Sequence, residues 1–275
     1  KFNLKPKKIF FYEHHLCHAI PSYCLSPFNG DKALALTIDG QGDGFFSKLY
    51  VFNGLEDYKL IGQSTADFMG NGDRFLSIGR LYNYFTQAMD LRPNSDEGKV
   101  EALAAFGKAD KDLFQQLMSA THIDKNNLSI NFDIKKIEPF YDIDWLKEQR
   151  KKVGDENFCA SVQSYLEDTI VAYLNYAYAK YPINNLCLSG GVAANIIMSL
   201  NIYERTKFRN IYVLPPMADD GLAIGSAILT AIDLGEDVSW LKNFVMPYFG
   251  DAYTRKEVKK ALDSFDNITY EDIKN

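Results

Sequence analysis

Three of the chain's four histidines fall within five positions, in the run Y-E-H-H-L-C-H-A at residues 12–19. Imidazole is the commonest protein ligand for transition metals, and its ordinary pKa lies close to neutrality. On a helix, His14 and His18, four apart, share one face and can hold one first-row ion between them. His15 and His18, three apart, make a weaker second pair. The competing reading is structural: imidazole donates and accepts at once, so it can satisfy backbone groups where a strand meets a helix. Two imidazoles do not complete a metal site. A third ligand, a carboxylate by preference, must come from elsewhere; Cys17, inside the run, reads as a bystander.

Three further stretches could meet an anionic ligand. Residues 39–44, D-G-Q-G-D-G, set Gly40, Gly42 and Gly44 around Asp39 and Asp43 in a loop whose amides can approach an anion closely. A plain wide hairpin turn would use the same residues. Glu97, Gly98 and Lys99 open a helix and put a flexible cation beside its amide-rich end, although a solvated surface lysine looks the same in sequence. Ser189, Gly190 and Gly191 form a tight turn after a short apolar run, and residues 215–220 an acidic loop after another.

The elements that would position these groups follow from apolar spacing. Residues 9–12 read as a short buried strand delivering the histidines at its C-terminal end. Pro21 lacks the amide that would bond back to Cys17, so the spacing predicts the histidines on a single turn. Segments 33–38, 45–52 and 58–64 read as strands of an antiparallel meander, the last two joined by Asn53-Gly54. Helical periodicity follows over 75–89 and again over 96–106, closed by Gly107. Residues 109–155 read as an insertion: one helix, one strand at 128–132 and an irregular charged stretch, with His122 on the surface. A long helix at 157–180 leads to strand 185–188, helix 192–203, strand 210–214 and helix 221–234, both turns at strand C-termini and so facing one crevice. This order is ribonuclease-H-like: an α/β lobe of the actin-like ATPase and sugar-kinase kind, with a mixed five-stranded sheet flanked by helices.

At 275 residues the chain has length for one large domain or two small ones. Its 47% hydrophobic and 24% charged residues are those of an ordinary globular protein, and no apolar run approaches a membrane span. Thirty basic against 36 acidic residues, a net charge of -6, argue against a nucleic-acid partner and favour a small molecule. Cys17, Cys24, Cys159 and Cys187 lack C-x-x-C spacing and scaffold density, which reads as reduced, buried thiols in a cytoplasmic protein. The chain begins with Lys and carries no signal-peptide pattern, which reads as a segment missing upstream.

Six motifs in order carry a resemblance: E-H-H-L-C-H-A from Glu13, T-I-D-G-Q-G-D-G from Thr37, E-G-K-V-E-A-L-A-A-F-G from Glu97, S-V-Q-S-Y-L-E from Ser161, L-S-G-G-V-A-A-N from Leu188 and P-P-M-A-D-D-G-L-A-I-G-S-A from Pro215. The set resembles the NodU/CmcH-type O-carbamoyltransferases, whose large domain is related to the tRNA threonylcarbamoyl-transfer enzymes. The resemblance implies an iron-type divalent ion (Fe2+) on His14, His18 and Asp219. It implies that Asp39, Gly40, Gly42, Asp43 and Gly44, together with Glu97, Gly98 and Lys99, hold the phosphate of an adenine nucleotide, carbamoyl-adenylate, while Gly190, Gly191 and Asn195 position the nucleoside. A hydroxyl of a small molecule, such as a sugar or an antibiotic or nodulation-factor precursor, would attack the carbamoyl carbon and AMP would leave. His14 belongs to the reacting centre, and His15 or Asp43 would take the hydroxyl proton.

Against the family pattern, residues 1–31 read as the tail of an incomplete first lobe, 32–243 as the ribonuclease-H-like lobe, and 244–275 as the lead-in to a C-terminal domain that would use ATP and carbamoyl phosphate. Such a fragment is expected to fold and to bind nucleotide weakly at most. It is not expected to turn over ATP and carbamoyl phosphate by itself, and it leaves an apolar face for association into a homo-oligomer. Two other readings compete: a non-catalytic adenine-nucleotide-binding module, which needs no histidine ligands, and transfer of a larger carbamoyl group to tRNA, which the acidic balance disfavours. The metal reading predicts that His14, His18 and Asp219 converge. The crevice reading predicts that the three glycine turns open together, and that Gly190→Val removes nucleotide binding without unfolding the chain.

Overall fold

The computed structural model describes residues 8–68, 75–243 and 252–271. They fall into two units, Lys1–Phe244 and Val245–Asn275. In the first, three antiparallel strands, β1 (Ala33–Gly42), β2 (Phe45–Phe52) and β3 (Tyr58–Thr65), form the expected meander. Before them comes helix α1 (His14–Cys24). After them come α2 (Ile78–Ala88), α3 (Glu97–Ala104), α4 (Lys111–Ala120), a hairpin of β4 (Thr121–Asp124) and β5 (Ser129–Phe132), α5 (Ile134–Ile137), α6 (Ile143–Val153) and the long α7 (Asp155–Lys180). The unit ends with β6 (Asn185–Ser189), α8 (Ile196–Arg205), β7 (Asn210–Val213) and α9 (Leu222–Asp233). Within the second unit, α10 (Arg255–Leu262) starts on a capping box between Thr254 and Glu257.

The main sheet runs β3-β2-β1-β6-β7, with β1, β6 and β7 parallel. That order, with helices on both faces, is the ribonuclease-H-like lobe. Strand periodicity decides what each face of β1 does. Leu34, Leu36 and Ile38 point into the main core with Leu81 and Phe85 of α2 and Tyr165 and Leu166 of α7. Thr37, of opposite parity, reaches His15 of α1 on the other face. The next residue of that parity is Asp39.

Residues 8–13 form no strand, contrary to the expectation for 9–12, and Ile9 and Phe11 stand exposed. The reason is topological: β1 already has β2 on one edge and β6 on the other, so an apolar run beside it finds no free ladder. Nor does Pro21 stop α1, which continues to Cys24. The cost of the missing amide is offset by burial, since Ile20, Tyr23 and Cys24 are fully enclosed and a large apolar side chain such as Ile20 contributes about 1.5–3 kcal/mol. The carbonyl of Cys17 instead lies against Gly225 of α9, where no Cβ would fit. The region 109–155 also differs, because Thr121–Asp124, with exposed His122, pairs with β5, and the charged stretch folds into α6.

All four cysteines are free and buried. No helix among the described residues is long and apolar enough to cross a membrane.

Candidate active site

The carboxyl ends of β1 and β6 and the loop after β7 meet at one edge of the sheet, where open α/β sheets place their ligands. At the end of β1 the register with β2 breaks between Ile38 and Gly42. This bulge frees Asp39 from the ladder and turns its carboxylate to α1. His14 Nε2 lies 3.3 Å and His18 Nε2 3.2 Å from Asp39 Oδ2. From the β7 loop, Asp219 Oδ1 comes within 3.7 Å of His14 Nε2 and 3.5 Å of His18 Nε2. One donor atom from each of the four residues falls within 4.8 Å of the others.

This donor set fits a first-row divalent ion. Ligands about 2.1 Å from a metal, at tetrahedral or right angles, stand about 3.0–3.4 Å apart; the imidazole contacts to Asp39, 3.2 and 3.3 Å, fall in that range, and those to Asp219, 3.5 and 3.7 Å, lie just beyond it. The electrostatics agree. Burial pushes Asp39 up, but its hydrogen bonds from His14, His18 and the Gly40 amide outweigh that and hold it well below the carboxylate range. The bond to Asp39 raises His14. Asp219 is raised, by partial burial and by the neighbouring Asp39 charge. Two carboxylates side by side oppose each other's ionisation, and a bound cation relieves that. His18 is fully buried and its Nδ1 has no hydrogen-bond partner among the described residues, while the Asp219 side chain is 72% exposed and forms the open wall.

The remaining expected site residues divide. Gly191 borders the cluster: a Cβ there would sit 3.2 Å from Asp39 Oδ1. Gly42 lies flat on the His14 ring, where a Cβ would stand 2.6 Å from Nε2 and closer still to the ring carbons. Gly42→Ala therefore displaces His14, and cobalt affinity should fall about 10- to 100-fold, the range for disturbing groups that orient metal ligands. Titration of the folded variant by calorimetry checks this; unchanged affinity would remove His14 from the centre. The 39–44 stretch is no wide loop. Only Asp43 (φ 50) and Gly44 (φ 83) form the turn, as an Asp-Gly hairpin needs. Asp43 Oδ2 accepts from the His14 amide at 2.8 Å, so Asp43 caps α1 beside Glu13, which accepts from Leu16.

His15 is not available as a base. It is buried, with Nδ1 2.9 Å from Thr37 Oγ1 and Nε2 3.1 Å from the Phe45 carbonyl, and burial pushes its pKa down to about 4. Asn195 is committed too. It caps α8 through Met198 and exchanges two hydrogen bonds with Gln163, so it has a structural occupation in place of the expected nucleoside contact. Glu97 accepts from the Asn94 amide and Lys99 pairs with Asp96 at 2.9 Å, which closes the start of α3 on its own turn. Gly98 has open space where a Cβ would stand. Gly190 supports the fold, as its amide donates to the Met217 carbonyl at 2.7 Å and ties β6 to the β7 loop.

A family model described as carbamoyltransferase N-terminus matches residues 2–228. The chain belongs to this carbamoyltransferase family. Among relatives of the carbamoyltransferase chain, an uncharacterized protein of Methanocaldococcus jannaschii is 46% identical over 275 residues, 97% of this chain and 45% of the relative. The nodulation protein NolNO of Sinorhizobium fredii is 30% identical over 241 residues, 84% and 32% of the two chains. The tRNA N6-adenosine threonylcarbamoyltransferase of Streptococcus pneumoniae is 29% identical over 185 residues, 67% and 49%. The chain thus spans less than half the length of these curated relatives. Full-length HypF, solved in a phosphate- and nucleotide-bound form, matches with a TM-score of 0.56 at 16% identity, over 83% of this chain and 44% of that one, which shows the shared fold.

Two residues at and beside the cluster have contacts that the sequence did not show. Asp39, which the resemblance gives to phosphate, shares strand parity with Thr37 and faces α1. Lys48 is buried and pairs with Glu13 at 3.0 Å, which braces the α1 cap; a lysine inside an apolar strand was its only signal.

Proposed function

We propose that this lobe carries out O-carbamoyl transfer, moving the carbamoyl group of carbamoyl-adenylate to a hydroxyl of a small molecule such as a sugar or an antibiotic or nodulation-factor precursor. The observation that supports this is the meeting of two imidazole Nε2 atoms and two carboxylates at the sheet's carboxyl edge, in a chain of the carbamoyltransferase family. His14, His18, Asp39 and Asp219 would hold a divalent ion. Mixed imidazole and carboxylate donors with open positions suit Fe2+, which supplies a Lewis acid for a carbonyl or phosphoryl oxygen. The 189–191 turn and the bulge of β1 bound the space for the nucleotide. The acceptor oxygen forms a bond to the carbamoyl carbon, the bond from that carbon to the phosphate oxygen breaks, and AMP leaves with the electron pair. With His15 excluded, the hydroxyl proton goes to Asp43, whose Oδ2 is held by the His14 amide and whose Oδ1 has no partner among the described residues. We assign the use of ATP and carbamoyl phosphate to a further part of a longer protein, and the reaction to the cytoplasm.

The test supplies preformed carbamoyl-adenylate, ferrous ion and a panel of sugars and aminoglycosides. Carbamoylated acceptor and equimolar AMP are expected with the native chain, and neither with His14→Ala. From ATP and carbamoyl phosphate the chain alone should give no turnover. Product formation indifferent to His14, or AMP release with no carbamoylated acceptor, would sink the reading.

A further inference from the structure

Arg80 stands in the first turn of α2, three residues past its cap Ser77. A cation there opposes the helix dipole, which favours negative charge at that end. Its Nε is buried without a hydrogen-bond partner, the only cationic atom so placed among the described residues. Lys48 is paired with Glu13 and Lys99 with Asp96. Arg80 lies against the bulge that carries Asp39: a Cβ on Gly40 would stand 3.7 Å from Arg80 Nε and 4.0 Å from Cδ. The helix is pinned to the same bulge through Gly79, where a Cβ would lie 2.8 Å from the Asp39 carbonyl oxygen and 2.9 Å from the Gly40 nitrogen. The same contact therefore sets Arg80 against the main chain of the bulge, next to the residue whose carboxylate touches both histidines.

The surroundings define what Arg80 would take. Asp39, Asp43 and Asp219 make the mouth of the cluster acidic, so an anionic substrate needs a compensating positive charge there. A planar guanidinium meets a phosphoryl group through parallel hydrogen bonds, and here its Nε is already out of water and without a partner. We infer that Arg80 binds the phosphoryl group of the adenine nucleotide, as a substrate-binding residue that selects nucleotide over nucleoside; this rests on the transfer reaction proposed above.

The test compares the native chain with Arg80→Met and Arg80→Lys in ligand-observed titrations with AMP, adenosine and inorganic phosphate. Arg80→Met should weaken AMP at least tenfold and leave adenosine within twofold, with Arg80→Lys between. Because Arg80 opposes the helix dipole, Arg80→Met without ligand should melt no lower than the native chain, which a structural cation would not allow. Equal losses for AMP and adenosine, unchanged AMP binding, no AMP binding by the native chain, or a lowered melting temperature would each overturn the assignment. So would loss of phosphate binding alone, which would assign Arg80 to a free anion. Cobalt titration separates the two readings. Cobalt affinity indifferent to His14→Ala refutes the metal centre, whereas an intact centre with unaltered AMP binding in Arg80→Met refutes Arg80 only.

Discussion

Asp39→Asn should lower cobalt affinity more than about 100-fold, beyond the 10- to 100-fold typical of groups that only orient ligands. Asp39 is the one carboxylate that touches both imidazoles at 3.2–3.3 Å, and it stays ionised because His14, His18 and the Gly40 amide hold it low against the effect of burial. Asparagine keeps the size and removes the charge. Asp219→Asn should cost less, since Asp219 is mostly exposed, stands 3.5–3.7 Å from the same atoms and is the raised member of the pair. Calorimetric titration of both variants under anaerobic conditions checks the order. A larger loss for Asp219→Asn would return Asp39 to the phosphate role read from the sequence.

Gly190→Val should unfold the chain rather than merely empty a nucleotide site. Gly190 has φ +89, and a Cβ there would meet the Ile38 carbonyl oxygen directly, with the Ile38 carbon at 2.7 Å and nitrogen at 2.8 Å. These are main-chain atoms of the central strand and cannot swing aside. Left-handed strain and this overlap together place the substitution among the exceptional losses, about 4 kcal/mol or more. For a chain of this size that lowers the melting temperature by about 10 °C or more. Gly191→Ala is the informative neighbour: its Cβ would approach only Asp39 Oδ1, so the fold should persist while the His14, His18, Asp39 and Asp219 cluster is crowded. Thermal melts of the two variants separate the roles, and a native-like melt for Gly190→Val would show that the sheet yields where its packing says it cannot.

Where burial patterns were strong, the sequence was a reliable guide. The meander, α7 and the two late strand-helix units all lie close to where apolar spacing put them, because each buries a continuous face. The errors arose where tertiary context outweighs local preference. Residues 9–12 look like a strand but find both edges of β1 taken by β2 and β6, and α1 survives Pro21 because its buried face packs closely on Gly225 of α9. β4 is short and polar, so no alternation announces it. At the site, H-x-x-x-H was legible as one helix face and residues 215–220 as an acidic loop, while the choice of Asp219 within it came from the family resemblance. Asp39 in its actual contacts was not, since residues 39–44 read as a loop, which carries no strand parity, whereas β1 runs on to Gly42 and keeps Asp39 on the Thr37 face. Asn195 and His15 were misread because composition does not reveal that Gln163 and the Phe45 carbonyl consume their hydrogen bonds.

The parallel arrangement of β1, β6 and β7 also sets a biosynthetic order. A nascent chain emerges from its N-terminus at about 5–20 residues per second. The histidines and Asp39 are therefore made early, while Asp219 follows about 180 residues after Asp39, a delay of about 10–40 s. Until β6 and β7 have docked beside β1, the β7 loop has no scaffold to hold Asp219 against α1. The emerging polypeptide can bring together only part of this donor set, so under the proposed metal reading the finished lobe, and not the growing chain, would choose the ion.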